Sequence, residues 1–165
     1  MSDKHEIIQV PNVLKSKVSY GPDGVDVEAL ERAEAVIANL RSSYLVWAQE
    51  DLVKIHALYE QALALPVDAR GPSIKAVFGI AHDIKGQGGS FGYQLMTILG
   101  NQLCRFAESR PLFGDAELDI IRLHIAAMRT VIGDQIEGEG GALGEDLLRG
   151  LQAVIAKLDK APSAV

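Results

Sequence analysis

Hydrophobic residues recur in steps of three and four between Asp26 and Pro66, a stretch that contains neither glycine nor proline. This spacing predicts one face of an α-helix, and the aspartate at its start suits the N-cap position. The pair Ser42–Ser43 either divides the stretch into two helices or bends a single one, and the sequence leaves both alternatives open. The apolar stripe comprises Leu30, Ala33, Ile37, Leu40, Tyr44, Ala48, Leu52, Ile55, Tyr59 and Leu63.

Further amphipathic stretches follow, each bounded by proline or glycine. Helical periodicity resumes after Gly71–Pro72 and leads into the glycine cluster 86–92. It starts again at Leu95, stops before Pro111 and returns at Asp115. Short connections between consecutive helices make them antiparallel neighbours. The sequence therefore predicts an all-α fold: an antiparallel up-and-down four-helix bundle with an additional N-terminal arm and a C-terminal amphipathic helix.

The same breaks divide the chain into four segments. We expect an extended N-terminal arm over 1–25, because prolines and glycines interrupt it and valines favour extended backbone. The helical bundle occupies 26–137 in this prediction. A glycine-rich, flexible linker over 138–144 then precedes a C-terminal helix and tail over 145–165.

Composition and charge argue against several classes of partner, namely nucleic acids, metal ions and membranes. Sixteen basic against 22 acidic residues give a net charge of −6, which argues against binding nucleic acid through its phosphates. The single cysteine, Cys104, cannot form an internal disulfide, and no Cys/His spacing resembles a metal site. The chain shows no signal-peptide core and no apolar window long enough for a membrane span. We therefore expect a cytoplasmic protein without a membrane partner.

The segment 79–92 carries the candidate chemistry. At about 100° per residue, the aliphatic side chains of its helix fall on one face and His82 falls on the other. A helical glycine costs about 1 kcal/mol relative to alanine, so several glycines beside an exposed imidazole favour an approach kept clear for another macromolecule. The residues that share the face of His82 are Lys75, Phe78, Gly79, Lys85, Gly86 and Gly89.

An accessible imidazole next to a lysine indicates phosphoryl transfer. The neutral imidazole nitrogen of His82 is a nucleophile, and the ammonium of Lys85 would offset negative charge on the phosphoryl oxygens. Lys75, Phe78 and the open glycine positions 79, 86 and 89 would form a docking surface for the partner. Asp83 lies about 100° around the helix from His82 and is interpreted as a solvated charge.

The run Ala-His-Asp-Ile-Lys-Gly-Gln-Gly-Gly-Ser-Phe-Gly over 81–92 resembles the phosphoacceptor motif of histidine-containing phosphotransfer (HPt) domains of bacterial two-component phosphorelays. In helix order the resemblance covers 26–137. It implies that His82 is phosphorylated, that Lys85 lies near the phosphoryl group and that Gly86 allows the partner to approach. Some members place a polar side chain on the next helix to orient the imidazole. Cys104 stands at that position here, which leaves Gln102 or Asn101 as substitutes.

The resemblance also implies the partners. His82 would accept a phosphoryl group from the aspartyl phosphate of a receiver domain, in a response regulator or a hybrid histidine kinase, and pass it to another. The partner receiver domain would supply Mg²⁺, so the chain needs no cofactor of its own. No ATP-binding loop is present in the sequence, and we expect a monomeric carrier without kinase activity.

Two alternatives compete with the carrier. A helical adaptor could dock receiver domains or other signalling proteins without being phosphorylated, although such a protein would not need both His82 and Lys85. A metal-dependent helical-bundle enzyme would need carboxylates and histidines facing inward on neighbouring helices, and no such set is evident. Of the other histidines, His56 and His124 are interpreted as structural residues and His5 as a solvated one.

Overall fold

The computed structural model describes residues 26–160, and the interpretation of 1–25 as an extended arm lies outside that range. No strand occurs in the described part of the chain, which confirms the predicted all-α class. Two short 3₁₀ turns, Val67–Ala69 and Gly89–Phe91, accompany the helices. The α-helices are α1 (Val27–Leu63), α2 (Gly71–Gly88), α3 (Gln94–Glu108), α4 (Asp115–Gly133) and α5 (Gly141–Lys160).

Helix α1 begins as the sequence predicts and is continuous. The side-chain oxygen of Asp26 accepts a hydrogen bond from the backbone N–H of Ala29 at 2.9 Å, which satisfies one donor of the first helical turn. The helix runs without a break through Ser42–Ser43, so these serines do not divide it. The chain separates into two compact units, 1–38 and 39–165, and the apolar residues Leu30 and Ile37 of the first unit are exposed.

The hydrophobic core lies in the second unit. The predicted stripe of α1 is buried from Tyr44 onward, but Leu63 is exposed and Ala62 is buried in its place. Helices α3 and α4 contribute most of the remaining core, and the described helices all place side chains against it. The largest fully buried side chains are Tyr44, Ile55, Ile74, Leu95, Met96, Leu99, Leu103, Leu118, Ile120, Ile121, Ile125 and Met128.

Helices α2 and α3 approach each other at two glycines. A Cβ atom at Gly100 would lie 2.9 Å from the carbonyl oxygen of Ala81 and 3.0 Å from the backbone nitrogen of Lys85. A Cβ at Gly88 would lie 2.8 Å from the carbonyl oxygen of Tyr93. These positions have no room for a side chain, so glycine allows the backbone of α3 to pack directly behind the turn that carries the candidate histidine.

Arg70 joins two loops at one end of this unit. Its buried guanidinium donates hydrogen bonds to the carbonyl oxygens of Leu65 and Phe113, at 3.0 and 2.9 Å, and lies 2.8 Å from the carboxylate of Asp115. Helix α4 begins at Asp115, as predicted, but Gly114 occupies the N-cap position. The carboxylate of Asp115 pairs with Arg70 across the loops instead of capping its own helix.

Helix α5 begins at Gly141, inside the segment 138–144 that the sequence assigns to a flexible linker. Part of that segment is also held by backbone hydrogen bonds: Gly138 donates to Gly92 at 2.7 Å and accepts from Leu95 at 2.8 Å. Leu151 of α5 is buried in the core of the second unit. The C-terminal helix is therefore packed on the same core. None of the described helices is both long enough and apolar enough to cross a membrane.

Candidate functional site

His82 is exposed on the side of α2 that faces away from the core. Val77, Ala81 and Ile84 are at most 2 % exposed and define the inner face of the same helix. Because a helix turns by about 100° per residue, the residue after Ala81 is carried out of the packed face. The helical periodicity thus predicted the orientation of His82 correctly.

His82 lies in an open groove of about 570 Å³ between α2 and α3. Helix α2 contributes one wall and helix α3 the other, and the close packing at Gly100 holds the two walls together. The lining residues from α2 are Phe78, Gly79, His82, Asp83 and Lys85, and those from α3 are Asn101, Cys104, Arg105 and Glu108.

Phe78 forms a fixed end of this groove. Its ring is half-buried against the hydrophobic core, and its centroid lies 6.1 Å from that of the His82 imidazole, with the two planes inclined by 31°. The Phe78 ring is therefore an apolar neighbour of the imidazole. Lys75, one turn earlier, is exposed but lines an adjoining groove together with Phe78 and Glu108.

Two of the three predicted open glycines face empty space. A Cβ at Gly79 or Gly86 would meet nothing within 4 Å, so their absent side chains leave the approach to His82 clear. Gly89 differs, because it is half-buried where the helix passes into a 3₁₀ turn. Its backbone N–H donates to the hydroxyl oxygen of Thr97 at 2.8 Å, which ties this turn to α3.

Asn101 and Gln102 differ in their access to His82. Asn101 lines the groove of His82 and also a second groove between α3 and α5, whereas Gln102 lines the second groove and not the first. The side-chain oxygen of Gln102 is buried there and has no hydrogen-bond partner within the described range. Of the two substitutes suggested by the sequence, the structure therefore brings only Asn101 to the histidine groove.

Cys104 forms part of the floor of the histidine groove. The thiol is 4 % exposed and donates a long hydrogen bond to the carbonyl oxygen of Phe78, with 3.9 Å between sulfur and oxygen. Burial raises the pKa of the Cys104 thiol, an effect that the nearby positive charge of Lys85 opposes. Cys104 is therefore a neutral, packed thiol, and Lys85 lies close enough to act electrostatically on this floor.

Arg105 is a lining residue that the sequence interpretation missed. Residues 101, 105 and 108 fall on one face of a helix because they are separated by four and three positions. That spacing is visible in the sequence, but only the packing of α3 against α2 shows which face meets His82. The groove consequently contains two cationic side chains, Lys85 and Arg105, where the sequence indicated one.

The comparisons with known proteins add no relative. No protein-family model, curated protein or solved structure matches the chain significantly. Within residues 26–160, no group of three or more His, Cys, Asp or Glu residues is placed to hold a metal ion. The groove around His82 is therefore the feature of the described residues that points to a function.

Proposed function

We propose that this chain is a phosphorelay carrier of the HPt type, in which His82 accepts a phosphoryl group from a receiver-domain aspartyl phosphate and passes it to another receiver domain. The observation that carries the proposal is an exposed imidazole in a groove that also contains Lys85 and Arg105. For the transfer, this chain would supply a nucleophile that the partner can reach from solvent, and two cations for the phosphoryl oxygens.

The chemical step needs no further group from this chain. The lone pair of a neutral ring nitrogen of His82 attacks phosphorus, and a nitrogen–phosphorus bond forms. The bond between phosphorus and the aspartyl oxygen breaks, and the receiver's carboxylate leaves with that electron pair. The proton on the other ring nitrogen remains on the imidazole. Transfer onward is the same exchange in reverse, with the aspartate of a second receiver domain as nucleophile.

The surroundings of His82 support docking of a macromolecule. The open space at Gly79 and Gly86 would let the receiver domain bring its aspartyl phosphate to the ring, and Phe78 offers an apolar contact beside it. Mg²⁺ bound by the receiver domain would neutralise charge at the receiver's own aspartate. Lys85 and the partner thus act on the phosphoryl group from opposite sides.

The proposal includes an architecture and a setting. We infer that the second part of α1 forms an antiparallel four-helix bundle with α2, α3 and α4, to which α5 is an addition. His82 then lies midway along one helix of the bundle and on its outer surface. The carrier would act as a cytoplasmic monomer that exchanges one receiver domain for another.

Transfer from a phosphorylated receiver domain tests the proposal. Candidate receivers carrying labelled phosphate are incubated with the wild-type chain, with His82→Gln and with His56→Gln. His56 is a suitable control because its side chain is also solvent-accessible on a helix, 41 % exposed. We expect label on the wild-type chain and on His56→Gln, and none on His82→Gln.

The same experiment distinguishes the adaptor alternative. If a receiver domain binds the wild-type chain but no label moves, the chain is a docking protein and the carrier proposal is wrong. Equal labelling of the wild-type chain and His82→Gln would also contradict it, because the phosphoryl group would then reside on another residue.

A further inference from the structure

Arg105 differs from most of the described arginines because it forms no ion pair within the described range. Five of the arginines in this range have a carboxylate within 4.0 Å: Arg32, Arg70, Arg110, Arg122 and Arg149. Arg105 and Arg129 have no ion pair with any described residue. For Arg105 this holds although Glu108 lines the same groove on the same helix. Its guanidinium therefore keeps its charge and its donors for another group.

Lys85 is in the same situation on the opposite wall. Asp83 lines the groove as well, yet no carboxylate of the described residues lies within ion-pair distance of the Lys85 ammonium. Lys85 is half-buried as a residue, and its backbone packs against Gly100. An ammonium that has no carboxylate partner attracts an arriving anion without first having to break an ion pair.

His82 lines the same groove as both of these cations. Lys85 follows it by three residues on α2, and Arg105 belongs to α3, where it also borders a neighbouring groove between α3 and α5. Arginine offers several N–H donors in a planar fork that matches two oxygens of a phosphoryl group, whereas lysine acts as a point charge. Together they can contact different oxygens of one tetrahedral group at the imidazole.

We propose that Lys85 and Arg105 form an anion site that holds the phosphoryl group while it is transferred to His82, with Arg105 as the second cationic ligand. The identity of the phosphoryl donor rests on the proposed function above. The anion site itself rests on the unpaired charges and the shared groove, and it can be tested separately.

Titration with inorganic phosphate tests the site without any receiver domain. In ¹⁵N-labelled protein at constant ionic strength, we expect saturable shifts of the Arg105 side-chain N–H and the His82 ring signals, with millimolar affinity. The shifts at His82 should be lost in Arg105→Ala and kept in Arg129→Ala, which removes a second arginine that forms no ion pair with any described residue. If the Arg105 signals move no more than those of Arg129, or if chloride produces the same shifts, the anion site is wrong.

Transfer rates test the role of the site. With phosphoramidate as a small donor, whose phosphorus–nitrogen bond breaks as ammonia leaves, we expect Arg105→Ala to lower the rate of His82 labelling about tenfold. Arg105→Lys should restore part of the rate, and Lys85→Ala should lower it to a similar extent. A wild-type rate in Arg105→Ala, or an equal loss in Arg129→Ala, would overturn the assignment. If neither donor labels the wild-type chain, the carrier function fails, and the phosphate titration still decides the anion site.

Discussion

Two histidines show how strongly placement on a helix decides what an imidazole can do. His82 is exposed, whereas His124 is 0 % exposed and donates from Nδ1 to the carbonyl oxygen of Ile120 at 2.8 Å. Desolvation lowers the pKa of His124 below its ordinary value of 6.5, and the hydrogen bond to Ile120 opposes the shift only in part. The sequence interpretation of His124 as structural is confirmed, whereas His82 lines the groove between α2 and α3.

Buried His124 predicts a loss of stability in acid. Below pH 6.5 the unfolded chain binds a proton at this ring while the folded chain resists it, so the free energy of unfolding decreases as the pH falls. Denaturant unfolding between pH 7.5 and 5 should show this slope in the wild-type chain and a smaller slope in His124→Leu. Identical slopes in the wild-type chain and His124→Leu would contradict the effect of burial on this ring.

Side chains on the helix of His82 could be predicted from the sequence, and those on its neighbour could not. The 100° rotation per residue placed Lys85 and Gly79 with His82 because all three share one helix. Arg105 belongs to α3, and its arrival in the groove depends on the rotation and depth of α3 against α2. Gly89 was misjudged for a related reason: its surroundings depend on α3, because the hydroxyl oxygen of Thr97 accepts a hydrogen bond from its N–H and would lie 3.4 Å from an added Cβ atom.

At the scale of elements, the contact between α2 and α3 fixes the groove. Gly100 brings the α3 backbone against Ala81 and Lys85, the residues that flank His82 along α2. Displacing α3 would therefore move Asn101 and Arg105 away from the imidazole. The site is built by an interhelical contact as much as by the motif itself.

Alanine substitutions should distinguish a glycine that packs against neighbouring backbone from a glycine that faces open space. Gly100→Ala places a Cβ within about 3 Å of backbone atoms of α2, so we expect a loss of about 1–3 kcal/mol in unfolding free energy. Gly79→Ala meets nothing within 4 Å and should stabilise the chain by about 0.5–1 kcal/mol through higher helix propensity. Denaturant unfolding of both variants measures these changes in unfolding free energy. A Gly100→Ala protein as stable as the wild type would contradict the close packing of α3 against α2 at this position.

Gly86 should matter for docking and not for folding. Gly86→Leu adds bulk to open space beside the groove, so helix content and stability should change little. Transfer from a phosphorylated receiver domain should fall at least tenfold, because a leucine would obstruct the approach of a macromolecule, while labelling by phosphoramidate should stay within about twofold of wild type. Measuring both donors in parallel separates access from chemistry. A wild-type rate with the receiver domain would show that the approach does not pass over Gly86.

Helix boundaries set by proline and glycine were predictable, and those set by tertiary contacts were not. Pro72 and Pro111 bound their helices as expected, since proline fits a first turn but not a helix interior. The segment 138–144 has the composition of a flexible linker, yet the bonds of Gly138 to Gly92 and Leu95 hold it in place. A local sequence pattern does not indicate hydrogen bonds between residues that are far apart in the chain.

At the scale of the whole molecule, the second unit is closed by polar contacts as well as by its core. Arg70 ties the loop before α2 to the loop before α4 through two carbonyl oxygens and one carboxylate. The sequence gives no sign of this role, because an isolated arginine in a loop resembles a solvated one. Helix α5 adds Leu151 to the same core, which explains why the terminal amphipathic pattern is so regular.

Removing the Arg70 contacts should weaken the whole unit. Arg70→Leu leaves the carbonyl oxygens of Leu65 and Phe113 without their donor, so we expect a loss of about 2–4 kcal/mol in unfolding free energy. Arg122→Leu is the matched control, since the exposed Arg122 pairs with Asp119 on its own helix, and it should change stability by less than about 0.5 kcal/mol. Equal effects of the two variants in thermal or denaturant unfolding would show that the Arg70 contacts do not stabilise the unit.

The central claim is that the phosphoryl group resides on His82. Its most direct test is mass spectrometry of the wild-type chain after transfer from a phosphorylated receiver domain, with digestion kept at alkaline pH. The account predicts one phosphoryl group, on the peptide containing His82, which brief acid treatment removes as expected for a phosphorylated imidazole. A phosphoryl group found on any other residue, or an unmodified chain beside a receiver domain that remains phosphorylated, would contradict it.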